Sequence, residues 1–272
     1  MSNLDKIDSK ALPQHVGIIM DGNGRWAAER HMPRIHGHRS AVKAVRTSVE
    51  TATELGLNVL TLFAFSTENW LRPKKEVSAL MELFYEFLEK ELHTILENNV
   101  RFQLIGERDK LPDFLQDRLS NALNSTSENT GLLLNLALNY GGRDEISRAV
   151  RKISESVKKG ELQPENIDET LISANTYTAG LPDPDLIIRT SGELRLSNFL
   201  IWQAAYAEFY FTDVLWPDFN KEDLHKALLE YQNRKRRMGR TTASAVISKS
   251  KKHVSRMVPD KSKKNRLTEA ST

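Results

Sequence analysis

The segment with the clearest chemical potential is HVGIIMDGNGRWA at residues 15–27. An apolar run ends there at Asp21, and Gly22 and Gly24 then flank Asn23. Glycines leave the backbone free to turn its N–H groups toward a ligand, and a helix that starts at this point adds a positive end that suits an anion. A carboxylate beside a phosphate needs a cation between them, and Mg2+ commonly bridges the two. The pattern therefore predicts a phosphate-binding turn with Asp21 as a Mg2+ ligand.

Two other interpretations of this segment are weaker. Asn-Gly is a strong signal for a β-hairpin, but no second strand follows closely. An EF-hand calcium loop needs further oxygen ligands at fixed spacing, and that pattern does not follow Asp21. The phosphate-binding turn is favoured over both.

The composition excludes several classes of site. The 272 residues are 39% hydrophobic, which allows a large core. The chain has no cysteine, so disulfides, thiolate zinc sites and cysteine nucleophiles are excluded. The sequence contains no apolar run of about 18 residues, so it predicts no membrane-spanning helix. Residues 1–12 are polar, lack the core of a signal peptide and are expected to be flexible. We expect a cytoplasmic protein, which could also bind at the inner face of the membrane.

The charge is unevenly distributed along the chain. Residues 241–272 hold eight Lys and Arg against two acidic residues, a local charge of +6, whereas the whole chain carries +3 and residues 1–240 therefore carry −3. This tail is poor in large apolar residues, which predicts disorder. A solubilising extension is the favoured role. Attraction to an anionic membrane surface or to nucleic acid is the weaker alternative, and we expect no nucleic-acid partner.

Apolar strand-like runs alternate with helical segments between residues 13 and 240. Near-continuous apolar strands separated by helices are typical of a parallel sheet that is buried on both faces. We therefore predict one α/β domain, a mostly parallel central sheet of about six strands flanked by helices. The predicted strands are Val16–Met20, Leu57–Phe65, Val100–Ile105, Leu132–Leu138, Leu186–Ile188 and Glu208–Phe211, and the predicted helices are 40–55, 77–96, 113–124, 145–157 and 221–237.

Polar segments follow four of these strands. They are Asp21 and its glycines, residues 66–72, residues 139–143 and residues 189–193. In such sheets, ligands bind at the carboxyl ends of the strands. The sequence therefore predicts one composite site at this edge.

The predicted helix at 77–96 has more large apolar residues than one buried stripe requires. Leu83 and Tyr85 lie off its regular apolar face, which ends at Leu96. The surplus fits either ordinary core packing or the wall of an elongated apolar tunnel, and the sequence leaves both open.

Together these segments resemble the cis-prenyltransferase family, most closely its bacterial undecaprenyl diphosphate synthases. The DDxxD motif of the trans-prenyltransferases does not occur. The resemblance runs from about Pro13 to Gly239. Its motifs are HVGIIMDGNGRWA (15–27), RIHGHRS (34–40), TLFAFSTENWLRPKKEV (61–77), LNYGGRDEI (138–146), DLIIRTSGELRLSNFLIWQAAYAEFYF (185–211) and LWPDF (215–219).

The resemblance implies a Mg2+-dependent enzyme that adds isopentenyl diphosphate units in cis to an allylic diphosphate such as farnesyl diphosphate. The implied product is a Z-polyprenyl diphosphate near undecaprenyl length, a lipid-carrier precursor for cell-wall glycans. The small Ala64 suits a long product. A homodimer is implied as well, in which Arg237-Met238-Gly239 resembles a motif that reaches the partner's site. Transient contact with a membrane surface would assist product release.

The resemblance also assigns residues to roles. Backbone N–H groups at Gly22, Asn23 and Gly24 with Arg25, Arg34 and His38 would hold the allylic diphosphate and neutralise the leaving group. Arg189, Arg195 and Ser197 match the isopentenyl diphosphate site. Asp21, Ser66 and Asn69 are the catalytic candidates, and Glu208 would help Asp21 to hold Mg2+, within one subunit or across the dimer. Further substrate contacts are expected from Glu68 and Arg72, and shielding of the allylic cation from Trp26, Phe65 and Trp70.

One departure and two other functions remain. The family often has histidine at position 194, where this chain has leucine. The resemblance therefore does not extend to the accessory metal or water ligation that this histidine would provide. A non-catalytic prenyltransferase subunit would tend to lose the phosphate turn, which is retained here. A Mg2+-dependent phosphohydrolase would share the turn but would need neither a second cationic pocket nor an apolar tunnel.

Overall fold

The computed structural model describes residues 3–235, which form a six-stranded sheet with helices packed against it. All neighbouring strands are parallel, in the order β3-β4-β2-β1-β5-β6. The predicted fold class is confirmed, and the sheet is parallel throughout. The strands are β1 (His15–Ile19), β2 (Val59–Ser66), β3 (Arg101–Ile105), β4 (Leu133–Tyr140), β5 (Leu186–Arg189) and β6 (Glu208–Phe211).

Within residues 3–235, six helices lie between the strands and a seventh follows β6. The predicted helices are present with shifted ends, and the short α6 was not predicted. They are α1 (Asn23–Glu29), α2 (Arg34–Leu55), α3 (Lys74–Glu97), α4 (Asp113–Ser125), α5 (Gly142–Lys158), α6 (Glu169–Ser173) and α7 (Lys221–Asn233).

The start of α2 is six residues earlier than predicted. Pro33 precedes its first turn, and Gly37 lies inside the helix where it crosses the start of α1. A Cβ at Gly37 would come within 1.9 Å of the Asn23 carbonyl oxygen. This glycine therefore permits a close approach that brings Arg34 and His38 to the turn after β1.

Alternation along the strands produces an apolar core on each face of the sheet. Ile18, for example, belongs to one cluster and Ile19 to the other. A bulge interrupts β2, where Phe63 pairs with Ala137 and Phe65 with Leu138. The extra residue, Ala64, puts Phe65 into the core opposite to that of Phe63. Bulges are common beside active sites because they re-aim side chains.

The N-terminal segment packs against the domain. Two 3-10 turns span Leu4–Lys6 and Ser9–Ala11, and the Gln232 amide of α7 donates to the Asp8 carbonyl at 2.8 Å. Among residues 3–235, no helix has the length and apolar character needed to cross a bilayer. The predicted basic tail at 241–272 and the motif at 237–239 lie outside the described residues.

A buried histidine links β1 to its surroundings. His15 contacts the Pro182 carbonyl through Nδ1 at 2.7 Å and the Thr61 hydroxyl through Nε2 at 2.6 Å. Its side chain is fully buried. Burial lowers the pKa of His15 from 6.5 to about 4, against smaller opposing effects of the Pro182 carbonyl and Asp185.

We expect the free energy of unfolding to fall as the pH drops from about 6.5 toward 4. In that window His15 is protonated in the unfolded chain and neutral in the folded chain. The resulting loss in the free energy of unfolding reaches roughly 3 kcal/mol at pH 4. Denaturant titrations at a series of pH values measure it. His15→Gln should flatten the dependence, while His93→Gln, at an exposed position on α3, should leave it unchanged. An unchanged slope in His15→Gln would contradict the assignment.

Candidate active site

A cleft of about 490 Å3 opens at the carboxyl edge of the sheet. This edge lies where β1 meets β2 and β5, the strands at which the chain order reverses. Segments after these strands and the first turns of α2 line it. Its lining residues are Ile19, Met20, Asp21, Asn23, Gly24, Arg34, His38, Phe63, Ala64, Phe65, Ser66, Glu68, Asn69, Arg72, Arg189, Ser197 and Asn198.

The turn after β1 has the predicted geometry, apart from the helix that follows. Gly22 has a φ of 106°, a left-handed conformation that glycine adopts without strain. A Cβ at Gly24 would lie 3.1 Å from Nε of Arg34. The helix α1 spans only seven residues, so its dipole contributes less than expected, and the backbone N–H groups remain the donors of this turn.

Asp21 and Arg189 form the central ion pair of the cleft. Nη2 of Arg189 donates to Oδ2 of Asp21 at 2.7 Å, and the Gly22 amide donates to Oδ1 at 2.7 Å. Burial acts to raise the pKa of Asp21, but the Arg189 hydrogen bond, the Gly22 amide and the charges of Arg189 and Arg25 outweigh it, so the pKa is lowered. Asp21 is therefore ionised at neutral pH and stays one-third exposed to the cleft.

The Arg189 guanidinium is hydrogen-bonded to the loop after β5 as well as to Asp21. Its Nη1 donates to the Ser197 hydroxyl at 2.7 Å and to the Arg195 carbonyl, and only 3% of its side chain is exposed. The loop that supplies these acceptors has left-handed backbone at Ser197 and Asn198, with φ values of 47° and 65°. Strained backbone of this kind persists where the surrounding structure determines it and is common at functional sites.

Arg25 and Arg195 meet at a second carboxylate, Glu193, outside the cleft lining. Glu193 accepts from Arg25 at 2.9 Å and from Arg195, and Arg25 also binds the carbonyl and hydroxyl of Ser191. In this structure Arg25 therefore contacts the loop after β5 and not Arg34, and its role toward the allylic diphosphate stays a prediction.

Arg34 and Arg72 share Glu76, which sequence reasoning missed. Oε1 of Glu76 lies 3.2 Å from Nε of Arg34 and 3.2 Å from Nη1 of Arg72. The signal was present as the i, i+4 spacing of Arg72 and Glu76. His38 lies nearby. Burial, with the charges of Arg72 and Arg34, lowers its pKa to about 4, so it is neutral at pH 7.

The loop after β2 is tied to the loop after β5. Oδ1 of Asn69 accepts from the Ser66 amide at 3.1 Å, and the two residues form a capping box. Glu68 accepts from Nδ2 of Asn198 at 2.9 Å. Asn198 was also missed, although it lies in the motif at 185–211. Its own oxygens accept from the amides of Gly142 and Arg143 at the start of α5.

The comparisons with known proteins decide the family. Residues 19–239 match the family model described as "Putative undecaprenyl diphosphate synthase". The chain belongs to this family of cis-prenyltransferases. The prenyltransferase is 53% identical over 234 residues to the isoprenyl transferase of Clostridium tetani (strain Massachusetts / E88), covering 86% of this chain and 92% of that protein.

Two solved structures resemble the prenyltransferase closely. Lavandulyl diphosphate synthase from Lavandula x intermedia, in complex with dimethylallyl diphosphate, has a TM-score of 0.82 and 39% identity and covers 84% of this chain and 98% of that one. A "probable undecaprenyl diphosphate synthase" from Campylobacter jejuni has a TM-score of 0.70 and 34% identity, covering 84% and 99%. The prenyltransferase is thus an enzyme of cis-prenyl chain elongation.

Of the three aromatic residues expected to shield a cation, only Phe65 lines the cleft of the prenyltransferase. Nε1 of Trp26 donates instead to Asp218 at 2.7 Å. Nε1 of Trp70 donates to Asn139 at 2.7 Å, and its ring meets Phe65 edge-on at 5.2 Å. Both tryptophans found polar partners outside the cleft, as indole N–H groups do.

An apolar cavity of about 80 Å3 adjoins the cleft. It shares Met20, Asn23, His38 and Ala64 with the cleft and continues between α2 and α3. Leu83, from the surplus of α3, lines it, whereas Leu96 is 38% exposed and Tyr85 is 37% exposed. At about 80 Å3, this cavity is too small to hold a tail of undecaprenyl length. The other lining residues are Ala41, Val42, Val45, Leu80, Phe84, Phe87, Leu136 and Trp216.

Glu208 does not lie beside Asp21 in one subunit. It begins β6 and pairs through Leu186 with Val16, at the amino edge of the sheet. Asp21 is five residues further along, a separation of roughly 16 Å along the strand direction alone. Two ligands of one Mg2+ each lie about 2 Å from it, so a shared site within one subunit was wrong. A site across a dimer stays a prediction.

Proposed function

We propose that this prenyltransferase adds isopentenyl diphosphate units sequentially to an allylic diphosphate, farnesyl diphosphate being the expected primer, and makes a Z-polyprenyl diphosphate near undecaprenyl length. The observation that best supports this proposal is the arrangement of five arginines in two groups around one cleft that adjoins an apolar cavity. One group is Arg34 and Arg72, and the other is Arg25, Arg189 and Arg195. Two cationic groups fit two diphosphates, and the apolar cavity fits the prenyl tail.

The allylic diphosphate binds at the turn after β1. The amides of Gly22, Asn23 and Gly24 offer N–H donors, and Arg34 packs against Gly24. His38, which is neutral at pH 7 before the anion binds, offers a ring N–H as a further donor. Donors fixed before the reaction stabilise the charge that develops on the leaving diphosphate. The prenyl tail then points past Ala64, which lines both the cleft and the apolar cavity.

Isopentenyl diphosphate binds at Arg189, Arg195 and Ser197. The Arg195 side chain is 60% exposed and paired with Glu193, so it can exchange that carboxylate for a diphosphate. Ser66 and Asn69 position the isopentenyl group from the loop after β2. Because the amide oxygen of Asn69 is engaged by the Ser66 N–H, its nitrogen is the group left to donate. Neither residue is a strong base, so the released diphosphate takes the proton.

The residues of the cleft fit a Mg2+ ion. In and beside the cleft, five arginines face four carboxylates, Asp21, Glu68, Glu76 and Glu193, an excess of one positive charge that the charge of two diphosphates far exceeds. Among residues 3–235, no three acidic or histidine side chains cluster as a complete metal site. Mg2+ is commonly held by one or two carboxylates plus substrate phosphates, and Asp21 supplies such a carboxylate. When bound, the ion would offset diphosphate charge and act as a Lewis acid.

Burial of the tail drives elongation. Each unit adds five carbons, worth at most about 4 kcal/mol when moved from water to an apolar site. Growth into the space between α2 and α3 is therefore favourable, and release is slow without a detergent or membrane surface to receive the product. We propose a homodimer, in which Glu208 completes a site of the partner, and transient contact with the cytoplasmic face of the membrane.

A diphosphate-release assay tests this function against a phosphohydrolase. The enzyme is incubated with Mg2+ and farnesyl diphosphate, with and without isopentenyl diphosphate, and inorganic diphosphate and phosphate are measured separately. We expect diphosphate only when both substrates are present. Release of phosphate from farnesyl diphosphate alone would favour the phosphohydrolase, and no release under either condition would favour a non-catalytic subunit.

Replacing Arg195 with alanine should raise the KM for isopentenyl diphosphate by about 10- to 100-fold, because one charge-assisted contact is lost. The KM for farnesyl diphosphate should change little. Initial-rate kinetics with each substrate varied in turn measure both constants. An effect confined to farnesyl diphosphate would reverse the assignment of the two pockets.

A further inference from the structure

The apolar cavity beside the cleft is continued by a second one of about 30 Å3 between the same two helices. Phe87 lines both cavities. Leu136 of β4 lines the first and Leu134 the second, two residues apart on one face of the strand. The two cavities are therefore successive parts of one apolar path, which runs between α2 and α3 from the carboxyl edge of the sheet toward its amino edge.

A partly buried ion pair lies on this path. Nε of Arg46 on α2 lies 3.1 Å from Oε2 of Glu91 on α3, and Nη2 of Arg46 contacts Oε1. Glu91 is buried, with 6% of it exposed, whereas the Arg46 side chain is 53% exposed. Both residues line the second cavity, and Glu91 lies one helical turn beyond Phe87. Two parallel contacts of this type give the pair a defined geometry, and it joins the two helices at the second cavity, beside Val49, Ile95 and Leu134.

We propose that the Arg46–Glu91 pair sets the length at which the prenyl tail stops growing. This inference rests on the function proposed above. Between the cleft and Phe87, a lengthening tail displaces only apolar contacts, so each unit gains its burial energy. To pass the pair, it must separate the two helices there and leave a buried carboxylate without its partner, which is costly. That cost offsets the gain from the next unit.

The length of the path beyond the pair indicates how many additional units the product could gain. Arg46 and Thr53 both line the second cavity and are seven residues apart on α2, about 10 Å along the axis. An extended five-carbon unit covers about 5 Å, so this part of the path is long enough for roughly two more units once the tail has moved the two helices apart.

The test compares product lengths. Wild type and the double variant Arg46→Leu/Glu91→Leu are incubated with farnesyl diphosphate, labelled isopentenyl diphosphate and Mg2+, and dephosphorylated products are resolved by chromatography. Replacing even a buried ion pair by apolar residues is commonly tolerated by the fold, and this pair is only partly buried. We expect the longest major product of the double variant to gain one or two units. An unchanged length distribution in the folded double variant would overturn the inference.

Two further variants sharpen the result. Glu91→Gln keeps the side-chain volume and removes the charge, and it serves as the test if the double variant fails to fold. It should shift the product-length distribution in the same direction, and no shift would overturn the inference. Glu86→Ala/Lys90→Ala removes an exposed ion pair from the same helix and should keep the wild-type length. An equal shift in this control would mean that any loosening of α3 lengthens the product, which contradicts a specific role of the pair. If wild type itself forms no prenyl product, the proposed function fails. If wild type elongates the primer and the variants make products of the same length, this inference alone fails.

Discussion

Replacing Asp21 with alanine should lower kcat by about 10^3-fold or more. Asp21 is the one carboxylate that follows β1 at the centre of the cleft, one-third exposed and ionised. Without it, Arg189 loses its partner and the proposed Mg2+ loses its only protein ligand in the cleft. Steady-state rates at saturating substrates and increasing Mg2+ measure the loss.

Asp21→Asn is the matched control for shape. The amide oxygen can still accept one of the hydrogen bonds from Gly22 and Arg189, but the negative charge is gone. We expect a similar loss of kcat with a melting temperature close to that of wild type. Near-normal turnover of either variant at saturating Mg2+ would refute the metal role of Asp21.

Replacing Arg189 with alanine should reduce kcat/KM for isopentenyl diphosphate by about 10^3-fold, since a buried bidentate donor and the partner of Asp21 are both removed. The guanidinium binds Asp21, Ser197 and the Arg195 carbonyl at once. Its loss leaves those acceptors unsatisfied, so the free energy of unfolding should also fall by about 1–3 kcal/mol.

Lysine variants separate charge from geometry. Arg189→Lys keeps the charge, but one ammonium group cannot reproduce the planar fork between three acceptors, so we expect a loss of at least about 10-fold in kcat/KM. Arg195→Lys, at an exposed position, should lose much less. A wild-type KM for isopentenyl diphosphate in Arg189→Lys would contradict the assignment of Arg189 to this pocket.

Much of the fold was predictable because the strands carry a strong local signal. Apolar runs bounded by turn residues located all six strands, and the position of polar residues after them located the edge that holds the cleft. The early start of α2 was not predictable from periodicity, since Gly37 lowers helix propensity. Its presence in the helix depends on the close contact with Asn23, which is a tertiary effect.

The partners of the site residues were less predictable than their location. The directions of Trp26 and Arg25 depend on distant groups, Asp218 and the 191–193 loop, which no local pattern reveals. The strand register puts Glu208 at the edge opposite to Asp21, and register is a property of the assembled sheet. Sequence spacing therefore identified which chemistry was present, and packing decided which groups meet.

The most direct measurement incubates the pure enzyme with farnesyl diphosphate and labelled isopentenyl diphosphate, in Mg2+ or in EDTA, and resolves the extracted products by length. The proposed function predicts products near undecaprenyl length in Mg2+ and none in EDTA. It would be contradicted if equal product formed in EDTA, or if no elongated product formed with any allylic primer in the presence of detergent.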